Sequence, residues 1–295
     1  MNHNISPIIQ SAALLKLYKS DNLVLIDARS GKNARANYQE KHLDGALFVD
    51  LETQLAEVKE DAANGGRHPL PNIENFAKTL SDLGISEKSQ VVIYDDKNGS
   101  NAAARFWWML KAVGHEKVQV LDGGFQAAEK SSFPTSSRTE IRNKTPLYKA
   151  DNWKLPIAAI DEVKAVSQDK NHIVIDVRET SRYNGETEPI DLMAGHIPGA
   201  INIPFTENLD QNGVFLPPNE LKKKYEKIFK NLNSENIIVH CGSGVTACHT
   251  LLAIAYATLE IPKLYVGSWS EWSRNGKKNS NESTALNHKI FRKTI

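Results

Sequence analysis

Short apolar runs that end in polar turns form the clearest pattern along this chain. The runs LVLIDAR (23–29), VVIY (91–94), IVIDVR (173–178) and IIVH (237–240) have the length and composition of buried strands. An apolar run long enough for a buried helix, residues 251–259, follows the last of them. Strands that alternate with helical patterns are typical of a mostly parallel sheet with helices on both faces. The pattern therefore predicts an α/β protein.

The same order of landmarks occurs twice. Each half has a strand that ends in Asp-x-Arg, a tyrosine followed by a Gly-Ala pair, a strand that runs through a turn into a helix, and a short strand that runs into glycine. In the first half these are LVLIDAR (23–29), Tyr38 with KHLDGALFVDL (41–51), VVIYDDKNGSNAAARFWWML (91–110) and VQVLDGGFQAA (118–128), and in the second they are IVIDVR (173–178), Tyr183 with GHIPGAINIPF (195–205), IIVHCGSGVTACHTLLAIAY (237–256) and LYVGSWSEW (264–272). We interpret this order as a duplication.

The duplication predicts two domains, which a chain of 295 residues is long enough to form. The segment from Ser131 to Pro156 is rich in Ser, Thr, Pro and charge and has no apolar period, which is typical of a linker. We place the N-terminal domain at residues 1–135, the linker at 136–156 and the C-terminal domain at 157–295. Each domain is expected to be a mostly parallel sheet flanked by helices.

Charge and cysteine content narrow the range of partners. The formal net charge is +1, and acidic and basic residues alternate without a long block of one sign, so neither a nucleic-acid partner nor a membrane surface is expected. No run approaches the roughly 18 apolar residues of a membrane helix, and the N-terminus lacks a signal-peptide pattern, which predicts a soluble, cytoplasmic protein. Two cysteines without a CxxC motif argue against a disulfide framework and against a metal site.

Cys241 is the strongest candidate for chemistry. It follows a predicted strand and is itself followed by Gly242 and Gly244, at a point where backbone N–H groups can turn inward and the next helix favours negative charge. Such surroundings lower the pKa of a cysteine from about 8.5 to roughly 3.5–7.5 and favour the nucleophilic thiolate. Most free cysteines are instead small buried hydrophobes, and Cys248, within the apolar helix, fits that alternative.

The loop after Cys241 supplies the predicted anion-binding groups. They are the backbone N–H groups of Gly242, Ser243, Gly244, Val245 and Thr246, to which the Ser243 and Thr246 hydroxyls can add. For Thr246, N-capping of the helix is an equally good interpretation.

The first half has an acid where the second has its cysteine. Asp95 occupies that position, so we expect a single active site, with Asp95 bonded to nearby backbone groups. The pairs Asp27–Arg29 and Asp176–Arg178, which end matched strands, are interpreted as structural braces.

The doubled arrangement, the Asp-x-Arg strands, HIPGA (196–200) and above all CGSGVTA (241–247) resemble the rhodanese and 3-mercaptopyruvate sulfurtransferase family over nearly the whole chain. The resemblance implies two rhodanese-like domains, a catalytic Cys241 in the second, and no cofactor. It also implies that a small anionic donor leaves a persulfide on Cys241, whose outer sulfur passes to a thiol acceptor such as thioredoxin or glutathione, or to cyanide.

The identity of the donor is the finer question. Thiosulfate-preferring members carry basic side chains directly after the cysteine, whereas this chain has Gly242 and Ser243, which resembles the mercaptopyruvate enzymes. That resemblance implies proton transfer by Ser243 with His68 and Asp50 of the first domain, an arrangement that is chemically sound. The alternative for His68, which lies in a Pro-flanked loop, is a solvated or hydrogen-bonded residue without a catalytic role. Thiosulfate remains the alternative donor.

Arg182 matches a family arginine that holds the carboxylate or sulfonate of the donor, a role that a guanidinium fork suits. A surface salt bridge is the alternative role. The second anchoring arginine of the animal mercaptopyruvate enzymes has no counterpart, because Ile190 or Asp191 stands there. Arg67 of the first domain is a conjectural substitute.

Two rival functions fit these residues less well. A cysteine phosphatase needs an arginine six residues beyond the cysteine, and Ala247 stands there, so the phosphate clamp is missing. A non-catalytic persulfide carrier would accept one sulfur and stop. Arg182 and Ser243 favour an enzyme over that carrier because they indicate a donor pocket.

Overall fold

The computed structural model describes residues 5–275, and two parallel sheets dominate it. The elements of the first half are β1 (Ile8–Ile9), α1 (Ser11–Leu17), β2 (Leu23–Asp27), α2 (Ala34–Glu40), β3 (His42–Leu43), β4 (Leu47–Phe48), α3 (Ile73–Asp82), β5 (Gln90–Tyr94), α4 (Ala102–Ala112), β6 (Val118–Leu121), α5 (Gly124–Lys130) and β7 (Thr135–Ser136). Those of the second half are β8 (Ile157–Ala158), α6 (Ile160–Val166), β9 (Ile173–Asp176), α7 (Thr180–Tyr183), β10 (Ile201–Asn202), α8 (Pro218–Phe229), β11 (Ile237–His240), α9 (Ala247–Tyr256), β12 (Lys263–Tyr265) and α10 (Ser268–Trp272).

The two sheets have the same topology. The first runs in the spatial order β4-β2-β5-β6-β1 and the second in the order β10-β9-β11-β12-β8, with every neighbouring pair parallel. The registers correspond as well, since Asp27 lies beside Tyr94 and Asp176 lies beside His240. The predicted α/β fold and its duplication are therefore confirmed. In both halves the loop of interest follows the central strand, where ligands bind in sheets of this kind.

The helix after Cys241 begins and ends earlier in the sequence than the apolar run 251–259 predicts. It begins at Ala247 and ends at Tyr256, because His249 and Thr250 are buried in its first turns although their side chains are polar. A loop of five residues, 242–246, thus separates Cys241 from the start of the helix.

The segment predicted as a linker lies on the first half. Its start forms β7, which pairs antiparallel with β3. Further along, the Arg142 guanidinium donates to the carbonyl of Leu23 at 2.5 Å, and Tyr148 is bonded to His115 at 2.9 Å. These contacts make the segment a covering layer of the first half rather than a free connection.

Helices α4 and α9 bring the halves together. They contact each other, and the buried residues of both belong to one apolar cluster that includes Trp107, Trp108, Leu251 and Leu252. Burial of this shared core stabilises the contact between the halves, because apolar area leaves water. The loops after β5 and β11 both contribute residues to the wall of a cavity between the halves.

Candidate active site

A cavity of about 400 Å³ lies where the two halves meet. Its walls include, from the first half, Glu52, Arg67, His68 and Lys97 and, from the second, Arg182, Cys241, Gly242, Ser243, Val245 and Thr246. Cys241 is only 2% exposed, yet it lines this cavity. Among the predicted site residues, Asp50 and Gly244 do not line it. The candidate nucleophile is therefore recessed in the wall of the cleft, where it packs against the apolar core on one side and borders the cavity on the other.

Helix α10 holds the ends of the Cys241 loop in place. The Cys241 N–H donates to the Ser268 hydroxyl at 3.2 Å, and the Cys241 carbonyl accepts from the Trp269 N–H at 3.0 Å. Gly244 is required by the turn itself, since its φ is +72° and a Cβ there would lie 2.4 Å from the Val266 carbonyl oxygen. The role of Gly244 is thus to let the loop pass close to Val266.

The loop offers N–H groups that nothing else uses. Within residues 5–275, the backbone N–H groups of Gly242, Ser243, Gly244, Val245 and Thr246 have no hydrogen-bond acceptor. Orphan donors are rare in folded proteins, and a row of them beside a helix start favours an anion. An anionic sulfur on Cys241 would supply the missing acceptor.

The first half shows what this loop geometry favours. The Asp95 carboxylate, at the position that matches Cys241, accepts from the N–H groups of Lys97, Gly99, Asn101 and Ala103 at 2.9, 2.8, 3.0 and 3.3 Å. Full burial raises the pKa of the Asp95 carboxyl, and the four N–H groups oppose that rise. The expectation that Asp95 bonds nearby backbone groups is confirmed, and the site of the first half is filled by its own side chain.

Ser243 is joined to the first half by a histidine. The His68 Nδ1 lies 2.7 Å from the Ser243 hydroxyl, and the His68 Nε2 lies 3.0 Å from Oε1 of Glu52. Burial lowers the pKa of His68 below its ordinary value, and this effect outweighs the opposing charge of Glu52. The imidazole is therefore neutral at pH 7 and can relay a proton between its two neighbours.

The carboxylate beside His68 was predicted wrongly. Asp50 does not contact the imidazole; its Oδ1 accepts from the N–H groups of Glu52 and Thr53 at 3.0 and 2.9 Å. Oδ1 of Asp50 thus stabilises the turn that follows β4, and this turn presents Glu52 to His68. Sequence alone gave no reason to prefer the second acid, because the direction of a side chain in a turn depends on the turn's conformation.

Arg105 bonds the backbone on both sides of the Ser243–His68 contact. This side chain is completely buried, and its guanidinium donates to the carbonyls of Gly244 and His68, each at 3.1 Å. Burial lowers the pKa of Arg105, and the nearby Cys248 and Cys241 thiols partly oppose that effect. Arg105 is not among the predicted site residues, although a lone arginine within the apolar helix AAARFWWML is a signal of a buried polar contact.

Arg182 lies in the middle of a row of alternating charges. It donates to Glu188 at 2.7 Å and to Asp191 at 3.4 Å, and Arg178 donates to the other oxygen of Glu188 at 3.2 Å. Burial would raise the pKa of Glu188, but Arg182 and two N–H groups lower it below its usual range. Arg182 is half-buried and lines the cavity, so it is a fixed wall group rather than a surface salt bridge.

The braces behind the site are as predicted. Asp27 and Arg29 form an ion pair at 2.7 Å, and Asp176 and Arg178 form one at 2.6 Å, with both carboxylates fully buried. Arg29 and Arg178 also bond the backbone carbonyls of Lys41 and Gly195. Each pair therefore fixes the loop after its strand.

Two further predictions concern the helix after the loop. Thr246 occupies the N-cap position of α9, but its φ and ψ are helical and its side chain makes no capping bond, so its hydroxyl is left to the cavity.

Cys248 is fully buried, with its Sγ 3.3 Å from the Gly244 carbonyl, and burial raises the pKa of its thiol to about 12. Cys248 is thus a packing residue, and Cys241 is the candidate nucleophile.

Neither a metal centre nor a membrane span emerges from the described part of the chain. Residues 5–275 contain no cluster of three or more His, Cys, Asp or Glu side chains suited to a metal ion. Over the same residues, no helix has the length and apolar character needed to cross a bilayer.

Comparison with known proteins agrees with the duplicated architecture. The pattern of the rhodanese-like domain matches residues 11–131 and 159–275. The chain is 41% identical over 238 residues to a probable 3-mercaptopyruvate sulfurtransferase of Pseudomonas aeruginosa, covering 80% of this chain and 82% of that protein. It is 35% identical over 247 residues to the thiosulfate sulfurtransferase of Rattus norvegicus, covering 82% and 81%. The solved 3-mercaptopyruvate sulfurtransferase of Leishmania major superposes with a TM-score of 0.78 at 26% identity, over 90% of this chain and 74% of that one.

Proposed function

This chain belongs to the rhodanese-like domain family as a two-domain sulfurtransferase, and we propose that it moves sulfur from 3-mercaptopyruvate through a persulfide on Cys241 to a thiol acceptor. The observation that carries this proposal is the Ser243–His68 contact of 2.7 Å beside Cys241, in a loop whose N–H groups have no acceptor among the described residues. The loop suits an anionic sulfur, and the serine and histidine suit a donor whose thiol must lose a proton.

In the first half-reaction the Cys241 thiolate attacks the sulfur of 3-mercaptopyruvate. A sulfur–sulfur bond forms, the carbon–sulfur bond breaks, and its electron pair leaves on the three-carbon fragment as the enolate of pyruvate. The loop N–H groups stabilise the sulfur that carries negative charge, as in an oxyanion hole. Arg182 holds the carboxylate of the donor, which fixes the direction of attack.

The proton of the donor thiol has to reach the enolate carbon. Ser243 can take it while passing its own proton to His68, whose burial-lowered pKa keeps the imidazole free to accept. Glu52, at 3.0 Å from the far nitrogen, orients the ring and stabilises the imidazolium. Return of this proton to the enolate gives pyruvate and restores the neutral histidine.

In the second half-reaction an acceptor nucleophile, which is a thiolate or cyanide, attacks the outer sulfur of the persulfide, and Cys241 leaves as a thiolate. Thioredoxin, glutathione or cyanide can serve as the acceptor, since each is a nucleophile small enough or exposed enough to reach a cleft of about 400 Å³. The two half-reactions share one covalent intermediate, so the kinetics are ping-pong. The chain needs a reduced thiol, which supports a cytoplasmic location.

Thiosulfate is the second candidate donor. It is favoured by the positive charge of the cleft, because Arg67, Lys97 and Arg182 all line it. Against it, the positions directly after Cys241 are the uncharged Gly242 and Ser243. Initial rates with the two donors and a dithiol acceptor decide between them, and 3-mercaptopyruvate is expected to give the higher kcat/KM.

The covalent step has its own test. After incubation with donor and no acceptor, intact-protein mass spectrometry should show the added mass of one sulfur atom, on the peptide that contains Cys241. Cys241→Ser should abolish both the adduct and turnover, whereas Cys248→Ser, the matched control, should keep most activity. Equal losses in the two variants, or an adduct on Cys248, would remove Cys241 from the mechanism. Sulfur uptake without turnover would identify a carrier instead of an enzyme.

The charge of the loop can be changed directly. Gly242→Arg should raise the rate with thiosulfate relative to the rate with 3-mercaptopyruvate. The new side chain displaces the Arg67 guanidinium slightly, since Nη2 of Arg67 lies 3.0 Å from the position of a Cβ at residue 242. An unchanged ratio of donor rates would show that loop charge does not select the donor.

A further inference from the structure

A second cavity, of about 260 Å³, has walls from both halves. The apolar part of these walls includes Pro69 and Leu70 of the first half and Ala158, Ile160 and Val266 of the second. Among the described residues, this seam cavity shares no wall residue with the cavity at the candidate active site. It is therefore a separate space, and the proposed reaction makes no use of it.

The loop of residues 65–70 forms a wall of both cavities. Arg67 and His68 line the active-site cavity, whereas the two residues that follow them line the seam cavity. The loop is seated on α10, because the Arg67 N–H donates to the Ser270 hydroxyl at 3.0 Å. A ligand in the seam cavity would therefore contact the loop that places His68 2.7 Å from the Ser243 hydroxyl.

One carboxylate gives the seam cavity its charge. Within residues 5–275, Glu271 is the only charged side chain in its wall. Oε1 of Glu271 accepts from the Gly65 N–H at 2.9 Å, whereas Oε2 has neither a hydrogen bond nor an ion pair in the same range of residues. Half of this carboxylate thus remains available to a donor that enters the cavity.

A buried phenol in the same wall also lacks a partner. The side chain of Tyr265 is 1% exposed, and its hydroxyl has no hydrogen-bond partner among the described residues. Burial raises the pKa of Tyr265 well above its ordinary value, and the negative charges of Glu271 and Asp161 act in the same direction. Since buried polar groups are normally bonded, the neutral hydroxyl next to negative charge indicates a missing partner that carries positive charge.

We propose that the seam cavity binds a small aliphatic amine through Glu271 and Tyr265. The ammonium group has three N–H donors, of which one bonds Oε2 of Glu271 and another the Tyr265 oxygen. The hydrocarbon part packs on Leu70 and Ile160. The ligand is small because the cavity lies below the range of roughly 300–1,000 Å³ that is typical of sites for drug-sized molecules. Its contacts with both halves stabilise the position of the loop that carries His68.

Binding can be measured with n-butylammonium as the probe and n-butanol, which has the same chain without the charge, as the control ligand. Titrations followed by saturation-transfer difference NMR should give a Kd on the order of 1 mM for the amine. The alcohol should bind about tenfold more weakly, because it lacks the charge-assisted bond to Glu271.

Hydrogen exchange followed by mass spectrometry shows where the amine binds. Backbone exchange should slow in peptides that contain residues 65–70 and 263–271, because the ligand contacts both segments. Exchange in the peptide of α8, residues 218–229, should not change. Slowing that is confined to peptides of the active-site cavity would overturn the proposal.

Two variants test the polar groups separately. Glu271→Gln keeps an acceptor for the Gly65 N–H but removes the charge, and it should weaken binding of n-butylammonium about tenfold. Tyr265→Phe should weaken binding as well. Because its hydroxyl has no partner in the free protein, this variant should unfold at the same urea concentration as wild type, which a structural role of the hydroxyl would not allow. If Glu271→Gln does not fold, Tyr265→Phe alone decides. Glu226→Gln, at an exposed side chain outside the cavity, is the matched control and should bind as wild type does.

Three outcomes would overturn the seam site: equal affinity for n-butanol and n-butylammonium, unchanged affinity in both cavity variants, or competitive inhibition by n-butylammonium against 3-mercaptopyruvate, which would place the cation in the active-site cavity. The binding measurements do not involve the nucleophile. Cys241→Ser should therefore bind n-butylammonium as wild type does, so failure of the proposed reaction and failure of the seam site remain distinguishable.

Discussion

His249 gives a prediction whose sign and size follow from its surroundings. It lies in α9, completely buried, with Nδ1 3.4 Å from the Gly99 carbonyl of the other half and with Phe215 at 4.6 Å between ring centres. Its Nε2 has no partner among the described residues. Burial lowers the pKa of His249 from 6.5 to about 4, because the charged imidazole would lose its hydration and gain no acceptor at Nε2, and the Gly99 carbonyl only partly opposes this effect.

The sign of the pH dependence follows from this depressed pKa. Above pH 6.5 the histidine is neutral in both the folded and the unfolded chain, so it adds no pH dependence there. As the pH falls below 6.5 the unfolded chain takes up a proton that the folded chain refuses until about pH 4. Linkage then predicts that the free energy of unfolding drops by about 2 kcal/mol between pH 7 and pH 5 through this residue alone.

Urea unfolding at pH 7, 6 and 5 measures the effect when wild type is compared with His249→Asn. The asparagine amide can still donate to the Gly99 carbonyl but does not titrate, and buried histidines such as His115 and His240 contribute equally to both proteins. His249→Asn should be less stable than wild type at pH 7, because a cavity is left, and this deficit should shrink by about 2 kcal/mol at pH 5. A deficit that stays constant within about 0.5 kcal/mol would refute the reasoning.

Three further predictions concern catalysis. Glu52→Gln should lower kcat with 3-mercaptopyruvate by about tenfold, which is the lower part of the range for general acid–base catalysis. Asp50→Asn should reduce thermal stability more than it reduces kcat. The reverse pattern would restore Asp50 to the proton relay. In the pH profile of kcat/KM, the acid limb should lie below pH 6.5, because burial lowers the pKa of His68. The limb should lie at a still lower pH in Glu52→Gln, which removes the charge that opposes this shift. A limb above pH 6.5 would contradict the neutral imidazole. In Arg105→Lys, the lysine side chain cannot reach the Gly244 and His68 carbonyls together, so kcat should fall about tenfold while KM changes little. An unchanged kcat would show that the Ser243–His68 contact does not depend on Arg105.

The repeated landmarks were enough to predict two α/β units and the position of the Cys241 loop at the end of a central strand. Apolar runs and turn residues act over a few positions, so each half could be recognised without knowing what it touches. The same local logic separated Cys241, with glycines around it, from Cys248, which the apolar helix buries. It also predicted that Asp95 would bond its own backbone, as four N–H groups do at 3.3 Å or less.

The sequence by itself determined the fold, the glycine-containing loop that begins at Cys241 and the neutral positions that follow Cys241, because those properties depend on neighbours along the chain. Only the tertiary structure decided that Glu52 rather than Asp50 faces His68, that Arg105 ties the two halves of the site together, and that Arg67 meets Arg182 across Asp191. These contacts join residues more than 100 positions apart, or depend on which way a turn points its side chains. Their geometry is set by the packing of α4 on α9 and of the Arg67 loop on α10, and no local pattern encodes that packing.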